Sequence, residues 1–287
     1  MHVHTIQSGM CTVPMLRHVC RESFNDPLEV YETLKRRGMD LVTVTDHDSI
    51  DAVEPLCWNR DFFLSEEVTC LTPSGTKFHM SVFDINPRQH MELQRRRDDL
   101  VSLIAYLREQ RLFFSVNHAF SSLTGERTDA DFALFEASFP AFETLNGHML
   151  KSANMAAASL AGGLGKAPVA GSDSHTLRSL GLTYTEVPGA RNKTEFLDGL
   201  RQGRGHVCGE TGNYWKLTRV ICEIGLGMMR EKAWTRVLLP CVLAVPAVML
   251  ANHVQEFLFA RRWKRRLEET WAPAPWSRPA SASEAAL

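Results

Sequence analysis

The sequence of 287 residues lacks the two features that most quickly place a chain in a class, which are paired cysteines and a surplus of one charge. Its seven cysteines are odd in number and no two have Cys-x-x-Cys spacing, so we expect neither a disulfide framework nor a cysteine-rich zinc site. The formal net charge of -1 makes no strong case for nucleic acid as a partner. The N-terminus shows no signal-peptide pattern, which predicts a cytoplasmic protein with reduced thiols.

Helix and strand signals alternate along the first two thirds of the chain. Asp26 suits a helix N-cap, Pro27 suits the first turn, and Gly38 is a stop signal. The apolar run 41–45 that follows is typical of a buried parallel strand. Further strands are predicted at 61–69, 77–83, 112–116, 141–145, 168–171 and 183–187, and helices at 89–110, 130–137, 150–162 and 193–202. This order favours an α/β fold with a parallel barrel or open sheet, whose functional residues collect where the strands end.

The composition changes after residue 215. We therefore divide the chain into an α/β domain at 1–215, a helical segment at 216–266 that is apolar and then basic, and a disordered tail at 267–287. Residues 237–266 are predicted to meet a membrane surface or a partner chain.

The apolar run of this segment, 237–251, contains Pro240 and Pro246 and is shorter than the ~20 residues that a membrane span requires. A basic cluster follows at 261–266. A helix lying on the membrane, a re-entrant pair broken at the prolines, or a helix docked on another chain fits these features better than a single span.

The candidate chemistry lies in short polar motifs. His2 and His4 are two residues apart, and such side chains in a strand point to the same face, so both can bind one metal. Asp46 and His47 directly follow the predicted strand 41–45. An Asx turn would explain the aspartate but not the histidine.

Later strands carry further candidate ligands. Glu67 is one of two adjacent glutamates in an otherwise apolar strand, so one carboxylate should face inward, where burial is costly without a cation. His79 lies within a predicted strand and His118 at the end of another. Asp173 and His175 are again two residues apart, just after the strand 168–171.

Each of these residues alone fits an ordinary hydrogen-bonded position in a core or loop. Together, six histidines, one glutamate and one aspartate near strand ends indicate a site for several metal ions with nitrogen and oxygen ligands. Such ligands suit Mn²⁺, Zn²⁺ or Fe²⁺.

The ordered set of motifs resembles that of the PHP (polymerase and histidinol phosphatase) superfamily over roughly residues 1–210. The resemblance implies a distorted seven-stranded (β/α) TIM-like barrel with two or three divalent metals at its C-terminal face. It also implies three metal positions: His2, His4, Glu67 and Asp173 at the first, Glu67 with His79 and His118 at the second, and His47 with His175 at the third.

One position departs from the family pattern. Members usually carry an Asp or His five residues after the second histidine, where this chain has Gly9. Cys11 and His18 are the candidate substitutes, although both also suit a purely local role. We therefore predict two firmly held metals and a weak third.

The function implied by the resemblance is metal-dependent hydrolysis of a phosphomonoester or phosphodiester in a small phosphorylated substrate, a nucleotide or sugar phosphate, by a metal-activated hydroxide. Glu67 would bridge two metals, while His47 or His175, if free of metal, would protonate the leaving oxygen.

Further candidates support these roles. Asp46 is a candidate for orienting a ligand histidine, and Glu143 and Asn146 for contacting substrate or supporting structure. Arg178, with other loop arginines, is a candidate phosphate contact.

Two rival functions stay open. An exonuclease acting on short oligonucleotides would need a basic, aromatic groove extending from the site. A non-catalytic metal-bound module would recruit partners through its C-terminal segment, but would have no need of an inward carboxylate among the histidines.

Overall fold

A five-stranded sheet forms the centre of the computed structural model, which describes residues 1–14 and 16–270. Its strands, in spatial as well as chain order, are β1 Ser65–Leu71, β2 Lys77–Phe83, β3 Phe113–Val116, β4 Ala141–Asn146 and β5 Ala167–Gly171. A separate antiparallel pair consists of β6 Thr183–Glu186 and β7 His206–Gly209, and β7 was not predicted from the sequence.

The sheet is mixed, whereas the sequence predicted parallel strands. The β1–β2 and β2–β3 pairs are antiparallel, and the β3–β4 and β4–β5 pairs are parallel. β1 and β2 are joined by a tight turn in which Gly75 has a φ of 81° and donates to the Thr72 carbonyl at 2.9 Å. A connection this short permits a hairpin but not the crossover that parallel strands need.

Nine helices surround the sheet among the described residues: α1 Pro27–Arg36, α2 Val53–Leu56, α3 Pro87–Arg96, α4 Leu100–Glu109, α5 Asp129–Ser138, α6 Lys151–Gly163, α7 Lys193–Arg201, α8 Tyr214–Glu231 and α9 Val245–Thr270. The single helix predicted at 89–110 is two helices. The Asp99 side chain accepts a hydrogen bond from the Ser102 amide and so caps the start of α4.

Two extended segments flank the sheet and position the first motifs. The His4 amide donates to the Ser174 carbonyl at 3.1 Å, and the Thr45 amide donates to the Val3 carbonyl at 2.8 Å. The segment 41–47 reaches the start of β1 through isolated parallel bridges, including His47 with Glu67. The strand predicted at 41–45 is therefore only an extended stretch, but it brings two histidine motifs to one edge of the sheet.

The C-terminal segment folds back onto the α/β domain. A 3₁₀ stretch, Ala233–Ala244, connects α8 to α9, and α9 packs against α6. Phe259, Trp263 and Leu267 of α9 belong to the main hydrophobic core, and the Trp263 ring lies 5.0 Å from that of Phe132.

Within the described residues, Ala233–Thr270 is the one helical stretch long and apolar enough to cross a bilayer, and 6% of its most apolar part is buried. Residues 267–270 continue α9 instead of beginning the predicted tail, and residues 271–287 lie outside the described range.

Candidate metal centre

The Glu67 carboxylate lies at the centre of a ring of imidazoles. β1 places adjacent side chains on opposite faces, so Glu66 turns outward to His90 while Glu67 turns inward. Both carboxylates are fully buried. Five imidazole nitrogens lie within 3.4 Å of the Glu67 carboxylate: those of His79 and His118 near Oε1, and those of His2, His4 and His47 near Oε2.

Asp173 joins the first pair of histidines. Its Oδ1 lies 3.4 Å from His2 Nε2 and 3.2 Å from His4 Nε2. The two histidine nitrogens are themselves 3.0 Å apart. The structure therefore brings together the four side chains that the resemblance assigned to the first metal position.

A tight backbone contact holds His2 in place. A Cβ added to Gly171 would lie 2.2 Å from the Cβ of His2, and the Asp173 amide donates to the His2 carbonyl at 2.8 Å. Only glycine leaves room for this approach, because it has no side chain. The glycine of the Gly-Ser-Asp-Ser-His motif thus belongs to the site as much as its ligands do.

His47 and His175 meet a carboxylate that was not predicted from the sequence. Glu22 Oε1 lies 3.4 Å from His47 Nε2 and 3.6 Å from His175 Nε2. The neighbouring Ser23 hydroxyl contacts the carbonyl oxygens of His4 and His175, which fixes Glu22 beside them. The third position therefore has an anionic side chain.

Gly9 does not leave a gap in the ligand set. It has φ 82° and ψ −143°, a backbone conformation that favours glycine over any residue with a side chain. The chain then continues through a loop that returns by an isolated bridge between Met10 and Arg21, immediately before Glu22. Cys11 and His18 are in none of the potential metal-binding groups found among the described residues.

Glu143 and Asn146 lie beneath the ligands and are buried. Glu143 Oε1 is 2.8 Å from His2 Nδ1, and its Oε2 accepts from the His118 amide at 3.1 Å. Asn146 donates through Nδ2 to Glu143 and to Asp173 Oδ2, both at 2.9 Å. Of the two roles left open for these residues, their positions suit support of the ligands, because carboxylates and amides behind a ligand histidine fix its orientation and tautomer.

Asp46 acts through its neighbours and does not contact an imidazole directly. It accepts from the Thr5 amide at 2.6 Å and from the Ser8 hydroxyl at 2.7 Å. Ser8 Oγ is in turn 3.0 Å from His4 Nδ1. The carboxylate expected to orient a ligand histidine therefore reaches His4 through one hydroxyl group.

The Arg178 guanidinium is paired with Glu223 of α8 at 2.9 Å, and its side chain is largely exposed. Arg21 likewise pairs with Glu231 at the end of α8. Because both of these arginines are paired with α8, the contact of Arg178 with phosphate stays a prediction.

His148 is a further imidazole that the sequence analysis passed over. It is buried, its Nε2 has no hydrogen-bond partner, and it forms a potential metal-binding group with Asp173 and His175. The sequence feature that could have identified His148 is the one that identified other candidate ligands, namely a histidine just after a predicted strand. Burial lowers the pKa of His148 to about 3, so the ring is a neutral nitrogen donor.

The charges in the site balance one another in pairs. Burial opposes protonation of His47, but Glu67 and Glu22 outweigh it and raise the pKa of His47 to about 10. Burial also opposes ionisation of Glu67 and Asp173, yet the surrounding histidines hold the pKa of both carboxyls well below its usual range. A site that retains protons in this way is one that divalent cations can neutralise instead.

The donor set fits divalent metals. The Nδ1 atom of His79 faces the Glu67 carboxylate but is buried without a hydrogen-bond partner, which is costly unless another group binds there. His118 and Asp173 also adopt left-handed backbone conformations, with φ of 30° and 50°. Such conformations concentrate at functional sites, where the surrounding fold maintains them.

Comparisons with known proteins agree with this geometry. The PHP-associated family model (PHP_C) matches residues 151–204, from α6 through α7. None of the curated proteins matches the chain.

Two solved structures share the fold. One is a two-domain protein from Bacteroides vulgatus containing a predicted PHP-like metal-dependent phosphoesterase, with a TM-score of 0.56 and 15% identity, covering 77% of this chain and 67% of its own. The other is PsfC from Pseudomonas syringae, with a TM-score of 0.53 and 16% identity, covering 80% of this chain and 96% of its own. The matched family model and the shared fold support the resemblance of the motifs to the PHP superfamily.

Proposed function

We propose that this chain is a phosphoesterase that hydrolyses a phosphomonoester or phosphodiester of a small compound, such as a nucleotide or sugar phosphate, with divalent metals. The observation that carries the proposal is the position of the Glu67 carboxylate, with histidines on both of its oxygens. A carboxylate shared in this way fits a bridge between two metals, the arrangement used for phosphoryl displacement.

We also propose that the backbone forms the distorted seven-stranded barrel of PHP type, as part of a catalytic domain at 1–215. Support comes from the hydrogen bonds that link the end of β5 to residues 2–4, residues 2–4 to 42–45, and 46–48 to β1. Together with the five strands of the sheet, these segments would complete a ring of seven. The ligands would then lie along one end of it, as in barrel enzymes.

We propose three metal positions. His2, His4, Asp173 and Glu67 would hold the first, Glu67 with His79 and His118 the second, and His47 with His175 and Glu22 the third. Among the described residues, the potential metal-binding groups include His2, His4 and Asp173 together, place His79 and His118 in separate groups with Glu67, and leave Glu22 out. Mn²⁺, Zn²⁺ and Fe²⁺ suit these ligands. Metals bound there would lower the pKa of water and neutralise the phosphoryl oxygens of the substrate.

The protein side chains supply access and orientation. His47, His79, His175 and Glu22 are the more exposed ligands, with side chains 14–21% accessible, whereas His2 and His4 are nearly inaccessible. Substrate therefore approaches from the side of the third position. Glu143, Asn146 and Asp46 hold the inaccessible side rigid, so that the ligands keep their spacing when substrate binds.

The test is a screen of nucleotides, sugar phosphates, bisphosphates and short RNAs with chelated protein, before and after addition of Mn²⁺ or Zn²⁺. We expect hydrolysis of a small phosphate ester only after metal is added. Asp173→Asn should be folded and inactive, while Asp198→Asn, at an exposed position of α7, should retain full activity. Full turnover by Asp173→Asn would overturn the proposal, and turnover confined to the RNAs would support the exonuclease alternative instead.

A further inference from the structure

The 3₁₀ stretch Ala233–Ala244 and the first half of α9 carry many exposed apolar side chains. We call this the apolar surface; it comprises Trp234, Val237, Leu239, Leu243, Val248, Leu250, Val254, Phe257 and Leu258, each of which is 42–86% exposed. Soluble proteins seldom expose so many large apolar groups next to one another, and such patches mark contact with a membrane or another protein.

The stretch of sequence that carries the apolar surface is mainly basic. Between Glu231 and Glu268 the only acidic residue is Glu256, which is buried and accepts a hydrogen bond from the Ser122 amide. The same stretch contains seven basic residues, at 232, 236, 261, 262, 264, 265 and 266. Four of the arginines, at 261, 262, 265 and 266, line a groove with exposed Leu258 and with Glu269. Two of them are already paired, Arg262 with Glu126 and Arg266 with Asp129. Basic side chains beside exposed apolar groups match the headgroups and acyl chains of an anionic bilayer.

Both ends of the apolar surface are held by the same α/β domain. At its start, Glu231 pairs with Arg21 and the Lys232 ammonium donates to the His18 carbonyl. At its end, Glu256 binds Ser122, and Trp263 enters the core. A single crossing of the bilayer would place Lys232 and Glu256 on opposite sides, and these contacts could not both form.

The segment is also folded on itself. The Tyr214 hydroxyl of α8 donates to the Pro246 carbonyl at 3.0 Å, and Met249 of α9 is buried although its neighbours are exposed. Pro240 lies inside the 3₁₀ stretch and Pro246 in the first turn of α9. The segment therefore bends back onto α8 around Pro246 and Met249, while most of its apolar side chains stay exposed.

We infer that the apolar surface docks into one leaflet of a bilayer containing anionic phospholipids, as an interfacial hairpin that does not cross the membrane. The α/β domain stays in water against the headgroups. This inference does not depend on the proposed hydrolysis, because none of its residues lies in the metal centre.

A second copy of the chain is a less suitable occupant. Packing two apolar surfaces face to face would bring Arg236 of each copy, together with the arginines beside Leu258, toward like charges. Like-charge juxtaposition disfavours such a contact, whereas anionic headgroups accept the same charges.

Vesicle flotation with the full chain tests the inference. We expect the protein to float with vesicles of equal parts phosphatidylcholine and phosphatidylserine. Binding to phosphatidylcholine alone should be about tenfold weaker or more, because several basic residues lose their attraction. The double variant Leu243→Asp with Val248→Asp should bind the vesicles at least about tenfold more weakly than the unmodified protein. The double variant Arg261→Gln with Arg265→Gln should show a somewhat smaller loss of vesicle binding. The matched control is Met91→Asp with Val101→Asp, which changes equally exposed apolar residues of α3 and α4 and should float normally.

A thiol label tests whether the 3₁₀ stretch enters the lipid. Cys241 is exposed on this stretch, whereas the exposed Cys57 is the C-cap of α2 in the α/β domain. An environment-sensitive dye on Cys241, in a Cys57→Ser variant, should shift to the blue on vesicles. The same dye on Cys57, in a Cys241→Ser variant, should not.

Three results would overturn the inference. The first is no flotation by the unmodified protein, and the second is flotation that both Asp substitutions leave unchanged. The third is a dimer in lipid-free buffer that Leu243→Asp with Val248→Asp converts to monomers, since this would show that a second copy covers the surface.

Discussion

The metal centre and the apolar surface both reverse the usual distribution of side chains, in opposite directions. In the centre, histidines and carboxylates are buried, whereas Trp234 and Leu243 of the C-terminal segment face solvent. Each arrangement is costly for the isolated protein, because buried charge and exposed apolar area both oppose folding. Each is compensated once a partner of the right chemistry is present. The comparison suggests that this fold keeps two separate places for ligands, one for cations and one for lipid.

The largest expected effect comes from two adjacent glutamates. Glu67→Gln should reduce turnover by more than the 10–100-fold typical of residues behind a metal ligand, because the shared carboxylate itself is lost. Glu66→Gln, at the next position but facing His90, should retain most of the activity. Steady-state rates and circular dichroism of both variants provide the measurement. Equal losses in the two variants would mean that burial and not metal binding determines the effect.

Two tryptophans of the C-terminal segment should differ strongly in their effect on stability. Trp263→Ala should cost about 3–5 kcal/mol of unfolding free energy, because the ring fills the core against Phe132. Trp234→Ala, at a side chain that is 62% exposed, should change it by less than about 0.5 kcal/mol. Urea unfolding in lipid-free buffer measures both. A small effect of Trp263→Ala would show that α9 is an appendage and not part of the domain core.

A smaller effect is expected for the carboxylate of the third position. Glu22→Gln should lower the metal content of the purified protein by about one equivalent and reduce turnover roughly 10–100-fold. Glu29→Gln, on the exposed side of α1, is the control and should change neither. Elemental analysis gives the metal content. An unchanged content in Glu22→Gln would point to His148 as the ligand that completes this position.

The smallest expected effect is the dependence of metal affinity on pH. With a pKa of about 10, His47 carries a proton at neutral pH that a metal must displace, so metal affinity should rise with pH up to that value. The change is at most about tenfold per pH unit for each displaced proton. Calorimetric titration in two buffers of different ionisation enthalpy should reveal proton release. Vesicle binding should respond to salt and not to pH in this range, because its charges are arginine and lysine.

The regular part of the fold and most of the centre could be anticipated from the sequence. Helix α1 lies close to the predicted range because Asp26 and Pro27 are strong local signals. The histidines near strand ends were recognisable because each follows or occupies an apolar run. Glu22 could not be recognised as a candidate ligand, because it ends an irregular loop without periodicity. Its role depends on contacts with residues distant in sequence.

The C-terminal segment shows a second limit of sequence reasoning. Its apolar run was plain, but the run alone does not reveal that Phe259, Trp263 and Leu267 face the α/β domain while Leu243 faces solvent. Both sets are equally apolar, so tertiary packing decides between them. The direction of β1 against β2 was missed for a different reason, since the turn at Gly75 was a hairpin signal that the α/β pattern obscured.

The packing of α9 on the core also has a consequence for the order of events during synthesis. Every ligand of the metal centre lies at or before residue 175, whereas Trp263 and Leu267 follow much later in the chain. At the usual speed of translation, roughly 5–20 residues per second, several seconds separate the two. During that interval the nascent domain has its complete set of ligands but leaves Phe132 and the outer face of α6 uncovered. Metal capture on the ribosome would therefore come before closure of the core, and chaperones would have that interval in which to bind.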